Sequence, residues 1–384
     1  MRGSMAAGAA LTLLVTGVVA GCGTGDGTAA RTVTVTPTPT TTAATPTTAT
    51  ATATSGASAD AKPSATVVTT LATGLDVPWG LTLLPDGTVL VATRDDGLIR
   101  RLDPATGRLT DFGKVAASVS NVDQGGEAGL LGLAASPSYA TDGKLFAYYS
   151  TASDNRIAWS TDGSTWHVIV KGIPHGVHHN GGRLAFGPDG MLYAGTGESG
   201  DTSLSQDKDS LGGKILRMTP DGQPADGNPF DSLVWSYGHR NVQGLAFDAD
   251  GRLWASEFGD KTADELNLIQ AGANYGWPAT QGRTDNPDYT SPARQWGTDE
   301  DSPSGIAIAG GAVWMAALKG ERLWRIPLSG AKAGTPKAFL TGTYGRLRSV
   351  LALDDDTLLV TTSNRDGRTT PGAKDDRILL VSVS

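Results

Sequence analysis

The 384-residue chain has one cysteine, Cys22. A lone thiol cannot staple an exported domain with disulfides, and it cannot supply the paired thiolates common in structural zinc sites. No apolar run reaches the length of a membrane-spanning helix; "AALTLLVTGVVAG", Ala9 to Gly21, is too short to cross a bilayer stably. Long amphipathic helical periodicity is missing as well. So is a positive charge balance: 31 Lys and Arg stand against 39 Asp and Glu, a formal net charge of -8. That balance argues against a nucleic-acid partner and against an electrostatic hold on anionic lipid.

What the chain does have begins at its N-terminus. Arg2, the short apolar run and Val19-Ala20-Gly21-Cys22 form a signal peptide over residues 1–21, ending in the pattern at which bacterial lipoproteins are cleaved and lipidated on cysteine. Cys22 is the expected lipidation site, the alternative being a coincidental cysteine after an uncleaved signal. Residues 22–63 are rich in Thr, Ala and Pro and carry hardly any large apolar side chain. Such a segment cannot bury enough surface to offset its ordering entropy, so a disordered tether is expected. The protein is expected to be extracytoplasmic, lipid-anchored to the outer face of the cell membrane, with its folded domain over 64–384.

Within that domain six segments share one plan: "WGLTLLPDGTVLVATR" from Trp79, "GLLGLAASPSYATDGKLFAYYS" from Gly129, "GRLAFGPDGMLYAGTGE" from Gly182, "GLAFDADGRLWASEFG" from Gly244, "SGIAIAGGAVWMAALKG" from Ser304 and "RSVLALDDDTLLVTTSNRDG" from Arg348. Each is an apolar run, a turn built from Pro, Asp and Gly, and a second apolar run. Asp-Gly between two such runs is a strong hairpin signal, because both residues tolerate the positive φ of tight turns. The turns, at Gly87, Gly143, Gly190, Gly251, Gly311 and Asp356, recur at roughly 45 to 60 residues, near the interval of four-stranded blades. The expected fold is all-β, a six-bladed β-propeller of four-stranded antiparallel blades. A pair of β-sandwiches is the alternative, and it leaves the six-fold spacing unexplained.

In an antiparallel hairpin the start of the first strand and the end of the second lie together. Residues just before and just after each hairpin should therefore meet on one face. Before the first strands stand Glu127, His178 and His179, Arg240 and Asn241, and Arg346 with Arg348; after the second stand Arg94, Glu198, Glu257, Gly259 and Asp260, Lys319, Asn364 and Arg365. Arg240, Lys319, Arg346 and Arg348 come from three blades, an unexpected gathering of cations for an acidic protein. Glu127, Glu198 and Glu257 could neutralise some of them as structural ion pairs. For the set together, an anionic ligand with several carboxylates is the better explanation.

"HGVHHNGGRL" holds three of the five histidines. The spacing is not a familiar zinc pattern, and solvated loop positions account for His175 and His178. His179 directly precedes the step into an inner strand and is expected to face the channel, where an imidazole can act as a base near neutral pH.

The strings "VPWGLTLLPDG", "GEAGLLGLA", "HHNGGRLAFGPDGMLYAGTGESGD", "SLGGKILRMTPDGQPADGNPF", "WSYGHRNVQGLAFDADGRLWASEFG", "DELNLIQAGANYGWP", "LKGERLWRI" and "RLRSV" resemble, in the same order from about Leu71 onward, the soluble pyrroloquinoline quinone (PQQ) dependent glucose and aldose sugar dehydrogenases, the glucose/sorbosone dehydrogenase family. The resemblance implies PQQ over the central channel of a six-bladed propeller. It implies that Lys319, Arg346 and Arg348 pair with the cofactor's carboxylates and quinone oxygens, that Arg240 and Asn241 lie beside the quinone, and that His179 is the base. It also implies a cofactor-site Ca2+ held by the backbone carbonyls of Gly259 and Asp260, and a structural Ca2+ near Glu265, the Tyr275 carbonyl, Gln281 and Asp285. Two positions depart from the family pattern. Asp260 stands where proline is usual, and Glu127 replaces a glutamine near the cofactor, adding a negative charge beside an anionic ligand. The implied partners are an aldose sugar and an external electron acceptor. A calcium-dependent lactonase would call for acidic channel ligands, and a non-enzymatic propeller binding glycan or protein has no reason to keep this residue set.

Overall fold

The computed structural model describes residues 62–384. The expected signal peptide, Cys22 and all but the last two residues of the expected tether lie outside the described residues. Among the described residues no helix is long and apolar enough to cross a membrane.

Six antiparallel sheets follow one another along the chain. Blade 1 comprises Pro78–Leu83, Val89–Thr93, Leu98–Leu102 and Leu109–Lys114. Blade 2 comprises Leu130–Ala135, Leu145–Ser150, Asn155–Ser160 and His167–Ile173. Blade 3 is built from Leu184–Phe186, Leu192–Gly195, Lys214–Met218 and Val234–Tyr237; blade 4 from Val242–Phe247, Leu253–Glu257, Asp264–Ile269 and Arg294–Trp296. Blade 5 has Pro303–Ala309, Ala312–Ala317 and Arg322–Ser329, and its outer edge is split between Lys332–Ala333 and Lys337–Phe339. Blade 6 takes Leu347–Ala352, Thr357–Thr362 and Ile378–Val383 from the end of the chain and its outer strand, Ala65–Ala72, from the beginning. Ser64 and Ser384 exchange backbone hydrogen bonds beside that seam. Every blade opens with one of the six hairpins expected from the repeats, and the turn glycines Gly87 and Gly251 sit at φ 82° and 79°.

The inner strands contact one another in a closed ring, and an apolar cluster fills each of the six gaps between neighbouring blades. Because both faces of a blade are buried this way, its middle strands read as continuous apolar runs; all six residues of Ala312–Ala317 are buried. The recurring glycine before the inner-strand leucine has a packing reason. A Cβ on Gly132 would overlap the carbonyl oxygen of Gly182 on blade 3, and one on Gly244 would press on the Ser304 carbonyl of blade 5. Toward the mouth, five inner strands carry a register irregularity, between Pro78 and Leu81, Leu130 and Leu133, Val242 and Gly244, Pro303 and Ile306, and Leu347 and Val350. Bulges of this kind re-aim side chains next to a site.

Candidate active site

At one mouth of the channel lies a cavity of about 280 Å³. Eight of the residues singled out from the sequence line it: Glu127, His179, Arg240, Asn241, Gly259, Lys319, Arg346 and Arg348. Arg368 lines it too and had no sequence signal, because it sits in the long loop between the second and third strands of blade 6, outside the hairpin pattern.

His179 is held at φ 57°, in the left-handed region that a non-glycine residue enters only under constraint. The constraint is on both sides. Its backbone N–H donates to Glu127 Oε2 at 3.2 Å, and its ring Nδ1 meets Glu198 Oε1. A carboxylate only accepts, so Nδ1 is the donor, and in the neutral ring this leaves the lone pair on Nε2. Glu198 is 2 % exposed and does not line the cavity. The sequence put Glu198 at this mouth as a partner for cations; it partners the imidazole instead. His178 is exposed, and its ring is 6.2 Å from that of His179.

The cations are anchored from beneath. Asp366, fully buried, accepts from Arg346 Nε at 2.9 Å and from an Arg348 terminal nitrogen at 3.3 Å. Burial alone would raise its pKa, but Arg348, Arg346 and Arg368 hold the carboxyl below its ordinary value. Arg348 also donates to Ser363 Oγ and Gln243 Oε1; burial, partly opposed by Asp366, brings its pKa down to about 10. Lys319 touches Asp299, but both side chains are more than half exposed, a pairing that water and salt screen. Arg368 answers the concern over Glu127: its guanidinium donates to Glu127 Oε1 at 2.9 Å. Against the effect of burial, Arg368, His179 and Arg348 keep the Glu127 carboxyl below its usual range.

Arg240 stands over Trp277, 5.4 Å from the ring centre, and its buried Nε has no partner among the described residues. Its backbone is fixed by a network the sequence did not reveal. Glu257 accepts the Arg240 N–H at 2.5 Å and His239 Nδ1 at 2.7 Å, while His239 Nε2 lies 2.8 Å from Ser236 Oγ. Ser236 and His239 are wholly buried, so this group positions Arg240 and has no access to substrate. Glu257 therefore serves a histidine and a backbone amide, as Glu198 serves a histidine, and among the described residues neither forms an ion pair with a mouth arginine or lysine. Arg94 and Arg365 also differ from expectation. Arg94 is buried in a two-pronged bond with Asp95, and Arg365 donates to the Asp375 carbonyl; neither lines the cavity.

The loop after the second strand of blade 4 forms the remaining wall. Asp264 accepts from the Gly259 N–H at 2.8 Å and the Ser302 N–H at 2.7 Å. Burial pushes its pKa up to about 6 despite those bonds. Asp260 lies outside the cavity lining, at the rim, with its carboxylate 3.4 Å from Arg240. A small second cavity adjoins, lined by Glu257, Glu265, Tyr275 and Gln281. There Asn267 donates to both glutamates, at 3.2 and 3.0 Å, and burial followed by the Glu257 charge drives the Glu265 pKa upward. The two buried carboxylates and Gln281 line one void, and hard oxygen donors of this kind are those that Ca2+ takes. Gln281 Oε1 is engaged by the amides of Asp260, Lys261 and Thr262. Asp285 does not join this group: the amides of Gly282, Arg283 and Thr284 bond to Glu265, Gln295 and Ser291, and the chain then runs outward, leaving Asp285 exposed.

Fold and mouth together define a six-bladed propeller whose cationic recess holds a histidine oriented by a buried carboxylate. Residues 75–371 match the family model described as glucose/sorbosone dehydrogenase, and the chain belongs to that family. It is similar to the structure of the PQQ-bound form of aldose sugar dehydrogenase from Streptomyces coelicolor, with 56% identity over 84% of this chain and 99% of that one, at a TM-score of 0.81. It is also similar to aldose sugar dehydrogenase YliI of Escherichia coli, 29% identical over 80% of this chain and 92% of the relative. Quinoprotein glucose dehydrogenase B of Acinetobacter calcoaceticus is 29% identical over 63% of this chain and 59% of its own length.

Proposed function

We propose that the protein oxidises aldose sugars at the anomeric carbon to lactones, using PQQ and Ca2+, and passes the electrons to an external acceptor. The carrying observation is the charge of the recess: Arg240, Lys319, Arg346, Arg348 and Arg368 face it against the single carboxylate of Glu127. A propeller lactonase would call for acidic channel ligands, which this mouth does not offer. PQQ, when bound, supplies three carboxylates and an ortho-quinone that accepts hydride.

Lys319, Arg346 and Arg348 would hold the cofactor's acid groups, with Asp366 fixing the two arginines in place. A carbon bearing a hydroxyl gives up hydride readily only as the hydroxyl proton leaves, so the chain's share of the chemistry is a base. His179 Nε2 takes that proton, and Glu198 steadies the imidazolium that results. Arg240, with its Nε unpartnered, is placed to stabilise negative charge that grows at the mouth. The Gly259 and Asp260 carbonyls, braced by Asp264, would hold the cofactor-site Ca2+. The Glu265 cavity would hold the structural one. Residues 1–21 as a signal peptide, a lipid on Cys22 and a tether to residue 63 would place the domain at the outer face of the cell membrane.

The test is reconstitution of the purified protein with PQQ and Ca2+, followed by dye reduction with a panel of aldoses. Turnover with at least one aldose is expected. Folded, PQQ-loaded protein that reduces no dye with any aldose overturns the proposal.

A further inference from the structure

The far end of the channel holds a further cavity, of about 290 Å³. One residue before Leu81, Leu133, Leu245 and Ile306 the inner strands carry Gly80, Gly132, Gly244 and Gly305; in blade 6 the place is taken by Ser349, and in blade 3 by Arg183. Four blades thus put no side chain into this layer, and one puts a guanidinium. Arg183 crosses the channel. Its Nε donates to the Gln243 carbonyl at 2.8 Å, one terminal nitrogen donates to Ser349 Oγ at 3.1 Å, and the group stacks 4.1 Å from the Trp79 ring. A Cβ on Gly305 would press on that same terminal nitrogen.

Arg183 is 7% exposed and lines the far cavity. Its two bonds go to neutral oxygens and use two of five donors. Burial, followed by repulsion from Arg348, pulls its pKa down to about 9. A desolvated cation with no anionic partner among the described residues, and with spare donors toward a solvent-reachable void, is an incomplete pair. Gln243 ties it to the other mouth, its carbonyl on Arg183 and its side-chain oxygen on Arg348.

We propose that the far cavity is an anion site in which Arg183 binds one halide-sized monovalent anion. The remaining wall is chiefly aliphatic, with Thr82 its only other polar side chain. It offers nothing to orient a polyvalent or multifunctional ligand, so a single weakly hydrated charge fits best. The site is separate from the cofactor recess and does not depend on the dehydrogenase reading.

Two measurements test this. Crystals soaked in sodium bromide should show an anomalous peak beside the Arg183 guanidinium on the far-cavity side. At constant ionic strength, replacing a bulky sulfonate with chloride or bromide should raise the Tm of the full chain by about 2 °C or more, and Arg183→Met should abolish the rise. No peak at Arg183, or an equal rise in Arg183→Met, overturns the site. If Arg183→Met does not fold, the bromide peak in the unmodified protein decides alone.

Discussion

Replacing Glu198 with glutamine separates the orientation of the base from its presence. The carboxylate meets His179 Nδ1 with its side chain 2 % exposed, so no solvent stands ready to take its place. A hydrogen bond to a charged group contributes about 1.5–3 kcal/mol, which at about 1.4 kcal/mol per decade is a factor of roughly 10 to 100. Glutamine adds a second effect: its amide can donate to Nδ1, moving the ring hydrogen onto Nε2, where the substrate proton has to go. General bases contribute about 10²–10⁴ to rate. Glu198→Gln is therefore expected to lower kcat by about 10²–10³. PQQ affinity should change by less than about twofold, since Glu198 lies outside the recess lining. Steady-state dye reduction gives kcat and KM, and absorbance titration of the apoprotein gives the cofactor affinity. A folded, PQQ-loaded variant with kcat within about threefold of the parent would refute the assignment of Glu198 as the group that sets the imidazole's reactive nitrogen.

Other perturbations address separate parts of the molecule. His179→Ala should abolish turnover, a loss of about 10² or more, while cofactor titration stays near the parent value; losing both together would count against its role as base. Lys319→Ala or Arg348→Ala should weaken PQQ binding by about tenfold or more in the same titration, and unchanged affinity in both would undo the cationic assignment. Gly132→Ala should cost about 2 kcal/mol or more in urea unfolding, because the new methyl overlaps the Gly182 carbonyl and backbone must move; a change under about 0.5 kcal/mol would mean that the blades do not meet there. Asp366 has a folded-state pKa below its unfolded value, so its stabilisation is present above about pH 4 and is lost as pH falls through the folded value. Asp366→Asn should lower Tm at pH 7, and the gap should narrow toward pH 3; a gap that stays constant with pH would show that the carboxylate's charge is not what matters.

The six hairpins were legible because each is a local event. Asp-Gly turns between apolar runs depend on residues within a few positions of one another, and their interval set the number of blades. The mouth residues followed from antiparallel geometry, which is why the sequence alone places Glu127, His179, Arg240, Asn241, Lys319, Arg346 and Arg348 at one recess. The resemblance supplied the chemistry those side chains serve.

Pairing among those residues was not legible. Glu198, Glu257 and Glu127 are alike in sequence, three acids beside three repeats, yet one orients an imidazole, one fixes a buried histidine and the Arg240 amide, and one meets Arg368 from a loop 241 positions away. Asp285 follows Gln281 closely but is exposed, while the amides of the three residues between them bond to the side chains of Glu265, Gln295 and Ser291. Blade 6, likewise, draws its outer strand from the opposite end of the chain.

By itself the sequence determined the hairpins, their repeat and the end of each at which charged residues collect, since those depend on dihedral preference and alternation along a few residues. Only the closed ring decided which carboxylate meets which cation, and that Arg183 stands across the channel where four other blades carry glycine. Those outcomes depend on distances between segments far apart in the chain, and on which of them exclude water.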